Sequence, residues 1–173
     1  MPYRVMTVCT GNICRSPMAE VVLRERFAAA GLADEVVVDS SGISDEEDGN
    51  PVDRRAASVL REHGYEVPRH RAHRVTPEEI ASRDLLLAMT ARHARWLRTQ
   101  APDAAAAGRV RVYRSFDPAA PATAGPGALA DESALDIDDP WYGDRSDFET
   151  TLEQVEAAAD AVVAHVREQL ARR

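Results

Sequence analysis

Tyr3-Arg4-Val5-Met6-Thr7-Val8-Cys9-Thr10-Gly11-Asn12-Ile13-Cys14-Arg15-Ser16-Pro17 passes from a β-branched, apolar run through a polar loop to residues that open helices. Residues 3–8 read as a buried strand. Pro17 suits the first position of a helix and Ser16 suits its N-cap. That order leaves backbone N–H groups turned into the loop at the positive end of a helix dipole, and such a cup takes a dianion. Cys9 ends the strand facing the cup, where the same field favours a thiolate. Arg15 adds a planar fork suited to bidentate contact with phosphate. Thr10, Gly11, Asn12, Ile13, Cys14, Arg15 and Ser16 are therefore the candidate phosphate-binding residues, with Cys9 as a candidate nucleophile at their base.

A cysteine at a strand end is often only a small buried hydrophobe, and two other phosphate loops make demands that this sequence does not meet. A Walker loop needs lysine, and all 21 basic residues here are arginine. A dinucleotide fingerprint needs three spaced glycines, and only Gly11 is present. Zinc would need four ligands, yet Cys9 and Cys14 are the only cysteines and no histidine pair has ligand spacing. No metal or organic cofactor is expected.

The chain has 173 residues, enough for one domain with a substantial core, and 45% hydrophobic against 29% charged residues fits a globular protein. Met1-Pro2-Tyr3-Arg4 leads straight into the strand, unlike a secretory leader, and no apolar run approaches membrane-spanning length. Two cysteines in one loop suit a reducing cytoplasm. A formal charge of −8 argues against nucleic acid or anionic membrane as partners.

Strand and helix signals alternate. Helices are expected over 18–30, 54–63 and 91–100, and strands over 36–38, 85–89 and 110–114. Ser146 and Glu149 have the spacing of a capping box. Phe148, Leu152, Val155, Ala159, Val162, Val166 and Leu170 then trace the apolar face of a last helix. The pattern predicts an α/β fold: a three-layer sandwich with a central four-stranded parallel sheet and helices on both faces. Ligands of such sheets bind at the carboxyl ends of strands, where Cys9 sits. The Pro-, Gly- and Ala-rich stretch 117–133 reads as a flexible loop within the single domain 1–173.

Cys9-Thr-Gly-Asn-Ile-Cys-Arg15-Ser16-Pro-Met-Ala-Glu20, with Asp139-Pro140-Trp141-Tyr142-Gly143 downstream, resembles the low-molecular-weight protein tyrosine phosphatase family. Asp39-Ser-Ser-Gly42, Pro51-Val-Asp53 and the strand at 84–89 extend the likeness over nearly the whole chain. The resemblance implies an enzyme acting on tyrosine-phosphorylated proteins through a phosphocysteine on Cys9, with Arg15 binding the phosphoryl oxygens; separately, a monomer is expected. It places the general acid at Asp139, and Trp141 and Tyr142 could wall a slot for a phenyl ring. Asp117, also followed by proline, is a rival acid. Asp131, Glu132, Asp136 and Asp138 read as a solvated acidic loop.

Three residues keep two readings each. Ser16 caps the helix or holds the Cys9 thiolate by a hydrogen bond. Asn12 ties the loop in a strained turn or simply occupies a left-handed one. Cys14 packs the loop or traps oxidised Cys9 as a reversible disulfide. The chain departs from the family in lacking an aromatic residue in Ile43-Ser-Asp-Glu-Glu-Asp-Gly49, in having Thr90 where Asp is frequent, and in having His73 where Arg is common. Other activities on this fold are phosphoarginine hydrolysis and arsenate reduction; a non-catalytic phosphotyrosine-binding module is the alternative of a different class.

Overall fold

The structure, a computed structural model, describes residues 1–122 and 131–173. Strand β1 (Tyr3–Cys9) lies inside a parallel sheet in the order β2-β1-β3-β4, where β2 is Val36–Gly42, β3 is Leu85–Ala88 and β4 is Val110–Val112. The alternation of side chains along a strand sends β1 residues to opposite layers. Tyr3, Val5 and Cys9 join a core with Leu23 and Phe27 of α1 (Arg15–Ala29), Val59 of α2 (Arg54–Glu62) and Leu152 of α6 (Arg145–Ala171). Met6 and Val8 join a second core with Ile80 of α3 (Pro77–Ser82), Leu97 of α4 (Ala91–Gln100) and Ala104 of α5 (Pro102–Ala106). These two cores and one sheet make the expected three-layer sandwich.

The differences from expectation have local causes. β2 continues past Val38 through the polar residues Asp39–Gly42, because each pairs in register with β1 up to Cys9↔Gly42. β4 ends at Val112, and Tyr113–Phe116 turn into a 3-10 helix. Helix α1 begins two residues earlier than Pro17, at Arg15, with Cys14 at the cap and no side chain capping it. Ser16 is therefore not the N-cap. The capping box of α6 is Asp144 with Asp147, two residues ahead of the expected Ser146 and Glu149. Leu170 is only partly buried, whereas the other six residues of the α6 stripe are buried.

Of the stretch expected to be a flexible loop, residues 123–130 lie outside the described residues. Its first part is a hydrogen-bonded turn, with Ala120 N–H donating to Asp117 O and the Asp117 carboxylate, 6% exposed, 3.7 Å from Arg114. Asp117 is thus not solvated. Asp136 is not solvated either: its carboxylate accepts from Ala91 N–H at the start of α4. Glu132 pairs with Arg98 at 2.6 Å.

Gly42 closes β2 directly under the 9–16 loop. A Cβ built there would stand 2.5 Å from Thr10 O. The strand end is clamped on both sides, by Ile43 N–H on Cys9 O and Ser44 N–H on Thr10 O, and by Gly42 N–H on His73 O.

Candidate active site

Cys9, Thr10, Gly11, Ile13, Cys14 and Arg15 line one side of a cleft of about 180 Å³, and Glu46, Glu47, Asp139, Trp141 and Tyr142 line the other. A larger hollow of about 880 Å³, floored by Val21 and Tyr65, holds none of the expected residues. The smaller cleft is the one where the chemistry converges.

Asn12 fixes the loop. It is the one non-glycine residue of positive φ among the described residues, at 60°. Its Nδ2 donates to Ser16 Oγ and Ser40 Oγ, both at 2.9 Å, and its Oδ1 accepts from His73 N–H at 3.2 Å. His70 Nε2 lies 2.7 Å from Asn12 O. The left-handed turn and the tie between neighbouring segments therefore coexist. His73, the departure at that position, serves the loop through its backbone while its ring pairs with Glu79 at 2.9 Å. Among the described residues the N–H groups of Gly11, Asn12 and Ile13 find no protein acceptor.

Cys9 Sγ sits 3.1 Å from Ser16 Oγ. The Ser16 hydroxyl receives from Asn12, so its single proton has two targets, Cys9 Sγ and Ser41 O at 3.2 Å. Both cysteines are free and buried. Burial, reinforced by the negative charges of Asp53, Cys9 and Asp139, pushes the Cys14 thiol far up, so Cys14 stays protonated.

Arg15 is 5% exposed. Its Nη1 donates to Ile137 O at 3.0 Å, and its Nη2 to Thr10 Oγ1 at 3.4 Å. Nη2 also lies 3.2 Å from Asp139 Oδ2, which brings the expected acid and the expected fork together. The other Asp139 oxygen accepts from Trp141 N–H and caps the Pro140–Tyr142 turn. Trp141 and Tyr142 meet edge to face with ring centroids 5.1 Å apart. They are 48% and 83% exposed, so they form a rim and not a closed slot.

Two contributors were not foreseen. His93 on α4 reaches Thr10 Oγ1 from below at 2.8 Å; its first-turn position behind the Thr90 cap was readable, its aim was not. Arg55 spans from Asp53 to the carbonyls of Trp141 and Gly143, at 3.3 and 3.4 Å. Glu47 of the acidic segment does not float: a Cβ on Gly11 would meet its Cγ at 3.0 Å, and Asn50 Nδ2 donates to its carboxylate.

Comparison with known proteins gives the family. The family model for low molecular weight phosphotyrosine protein phosphatase matches residues 4–172. A low molecular weight protein-tyrosine-phosphatase of Streptomyces coelicolor is 45% identical over 170 residues, covering 98% of this chain and 97% of that one. Low molecular weight protein-tyrosine phosphatase A of Mycobacterium tuberculosis is 45% identical over 171 residues, covering 99% and 96%. A protein tyrosine phosphatase structure from Entamoeba histolytica superposes with a TM-score of 0.84 at 23% identity, over 96% of this chain and 98% of that one. With the match spanning nearly every residue from β1 to the end of α6, the chain belongs to the low-molecular-weight protein tyrosine phosphatase family.

Proposed function

We propose that this protein hydrolyses phosphotyrosine in proteins, and aryl phosphate monoesters generally, through a phosphocysteine formed on Cys9. The observation that carries the reading is the convergence of Cys9, the Arg15 guanidinium and the Asp139 carboxyl in one cleft beneath two exposed aromatic rings. A phosphate monoester resists attack because its oxygens repel nucleophiles and its alkoxide leaves poorly. The unpaired amides of residues 11–13 and the Arg15 fork answer the first difficulty, since they bind the equatorial oxygens most tightly when charge spreads over them.

The Cys9 thiolate attacks phosphorus in line, and the bond to the tyrosine oxygen breaks as Asp139 gives that oxygen its proton. The Ser16 hydroxyl, 3.1 Å from sulfur, is placed to donate to the thiolate when it is free. In the second step water attacks the phosphocysteine, Asp139 takes the water's proton, and inorganic phosphate leaves with the thiolate restored. Trp141 and Tyr142 supply apolar edge to an aryl ring. Their exposure favours a substrate presented on a protein surface.

The same reading makes the protein a cytoplasmic monomer that is redox-sensitive. Peroxide oxidises Cys9 to the sulfenic acid, which removes the Cys9 charge that helps keep Cys14 protonated. The Cys14 sulfur then gives up its proton and displaces the sulfenic oxygen as water to form the disulfide. Arsenate reduction on this fold would call on further redox cysteines, and the chain has only two. The test is side-by-side turnover of phosphotyrosine, phosphoserine and phosphoarginine peptides by the protein and by Cys9→Ser. Turnover confined to phosphotyrosine and lost in Cys9→Ser is expected. Equal turnover by both proteins would overturn the nucleophile; binding without turnover by either would make the protein a recognition module.

A further inference from the structure

His93 is a buried titratable residue that the chemistry above does not use. It is 1% exposed, its Nε2 touches the hydroxyl of the residue next to Cys9 at 2.8 Å, and its Nδ1 has no partner among the described residues. We infer that His93 is a positioning residue for Arg15: it accepts the Thr10 proton and so keeps the Thr10 lone pair turned toward the guanidinium. The inference rests on Arg15 being the phosphate fork.

A threonine hydroxyl owns one proton and two lone pairs, and a guanidinium only donates. Arg15 Nη2 is 3.4 Å from Thr10 Oγ1, so the oxygen meets a donor on that side. Its own proton then goes to the acceptor at 2.8 Å, which makes Nε2 the bare nitrogen and puts the imidazole proton on Nδ1. Burial, with the positive charges of Arg15 and Arg92, brings the His93 pKa down to about 3, so the lone pair on Nε2 persists across neutral pH. An imidazole that gives up a partner at Nδ1 is a poor choice for packing alone. It is a good choice for holding a hydroxyl.

The consequence falls on Arg15. Of its three partners, Asp139 must carry a proton to the leaving oxygen and cannot remain an ion-pair partner while substrate is bound. The two neutral acceptors, Ile137 O on Nη1 and Thr10 Oγ1 on Nη2, are what stays on the protein side. If the Thr10 proton were free to swing, the second anchor would become one donor facing another. His93 removes that freedom.

Three variants separate position from bulk. His93→Leu fills the space without an acceptor, His93→Asn puts its amide near the place of Nδ1, and His93→Gln brings a carbonyl to the place of Nε2. Leu and Asn should lower kcat/KM about tenfold, the loss of one hydrogen bond in a charged chain. The factor should be the same on phosphotyrosine and on p-nitrophenyl phosphate, and inhibition by inorganic phosphate should weaken in parallel. Gln should recover most of the loss, and Leu should add little in a Thr10→Val background. Wild-type values for Leu and Asn, or a Leu effect undiminished by Thr10→Val, would overturn the inference. If the variants do not fold, nitrogen-15 NMR of the wild-type protein decides: a bare Nε2 supports it and a protonated Nε2 refutes it. Arg15→Lys keeps the two readings apart, because a crippled Arg15→Lys beside an active His93→Leu sinks only the role of His93. An active Arg15→Lys sinks the fork itself.

Discussion

Replacing Asn12 by alanine tests how much the 9–16 loop depends on one side chain. The substitution leaves φ at about +60°, which costs a non-glycine, non-Asn residue roughly 1 kcal/mol or more. It also removes the buried donations to Ser16 Oγ and Ser40 Oγ and the acceptor for His73 N–H, which is partly buried. The serine hydroxyls can rotate to other partners, whereas the His73 amide cannot, so the lost bonds cost about 2–3 kcal/mol together. Asn12→Ala should therefore lose about 3–4 kcal/mol. Asn12→Gly loses the same bonds but sits in the left-handed region freely, and should be about 1 kcal/mol less destabilised, less whatever its looser unfolded chain takes back. Urea unfolding followed by fluorescence of Trp96 and Trp141 gives both numbers, provided the m-values agree. Both variants should also lose more than tenfold in kcat/KM, because Ser16 no longer has its donor. If both proteins lost less than about 1 kcal/mol and kept their activity, the loop would be held by something other than Asn12.

Asp139→Asn should slow phosphotyrosine hydrolysis roughly a hundredfold, but a substrate with an acidic phenol less, since acid help matters most for poor leaving groups; a large leaving-group-dependent defect in Asp117→Asn instead would move the acid there. Arg15→Lys should be nearly as damaging as Cys9→Ser in steady-state turnover, because a point charge does not replace a fork. After brief peroxide exposure, Cys14→Ser should recover less activity with thiol than the parent protein, and equal recovery would take Cys14 out of any protective role. His93 also shapes stability against acid. Its conjugate acid has a pKa near 6.5 unfolded and about 3 folded, so between those values the unfolded chain binds a proton that the folded one refuses. Stability therefore falls with pH from about 7 down to about 3. His93→Gln should reduce the loss between pH 7 and pH 4.5 by about 2–3 kcal/mol, read from urea midpoints at the two pH values.

Cys9, Arg15 and their loop were legible because a buried strand, a polar turn and a helix start lie within fifteen residues, and because local order there dictates local shape. The stripe from Phe148 to Val166 was legible for the same reason. Asp39–Gly42 misled because Asp39, Ser40 and Ser41 are polar, yet the register with β1 carries the strand through them, buries the two serines and overrides their composition. Ser146 misled because Asp144 and Asp147 satisfy the same spacing, and with the turn before it the chain reaches Asp144 first. Helix α3 carried an unused signal, Thr76 and Glu79 around Pro77, which forms a complete capping box. His93 showed only its place behind the Thr90 cap, and Asp136 and Arg55 showed nothing of what they touch. Each acts on a partner more than forty residues away in the chain, and only the folded sheet sets those distances.

Gly42 bears on how this protein can change over time. It has no functional group, yet the 2.5 Å approach of Thr10 O to its missing Cβ means that even alanine would lift the loop off its support. The floor of the cleft is bare backbone, with no spare thickness. A survey of every single substitution should find this position as intolerant as the nucleophile, although it touches neither substrate nor sulfur. Lineages that retune the rim at Glu46, Trp141 or Tyr142 are free to do so; none can thicken what lies beneath.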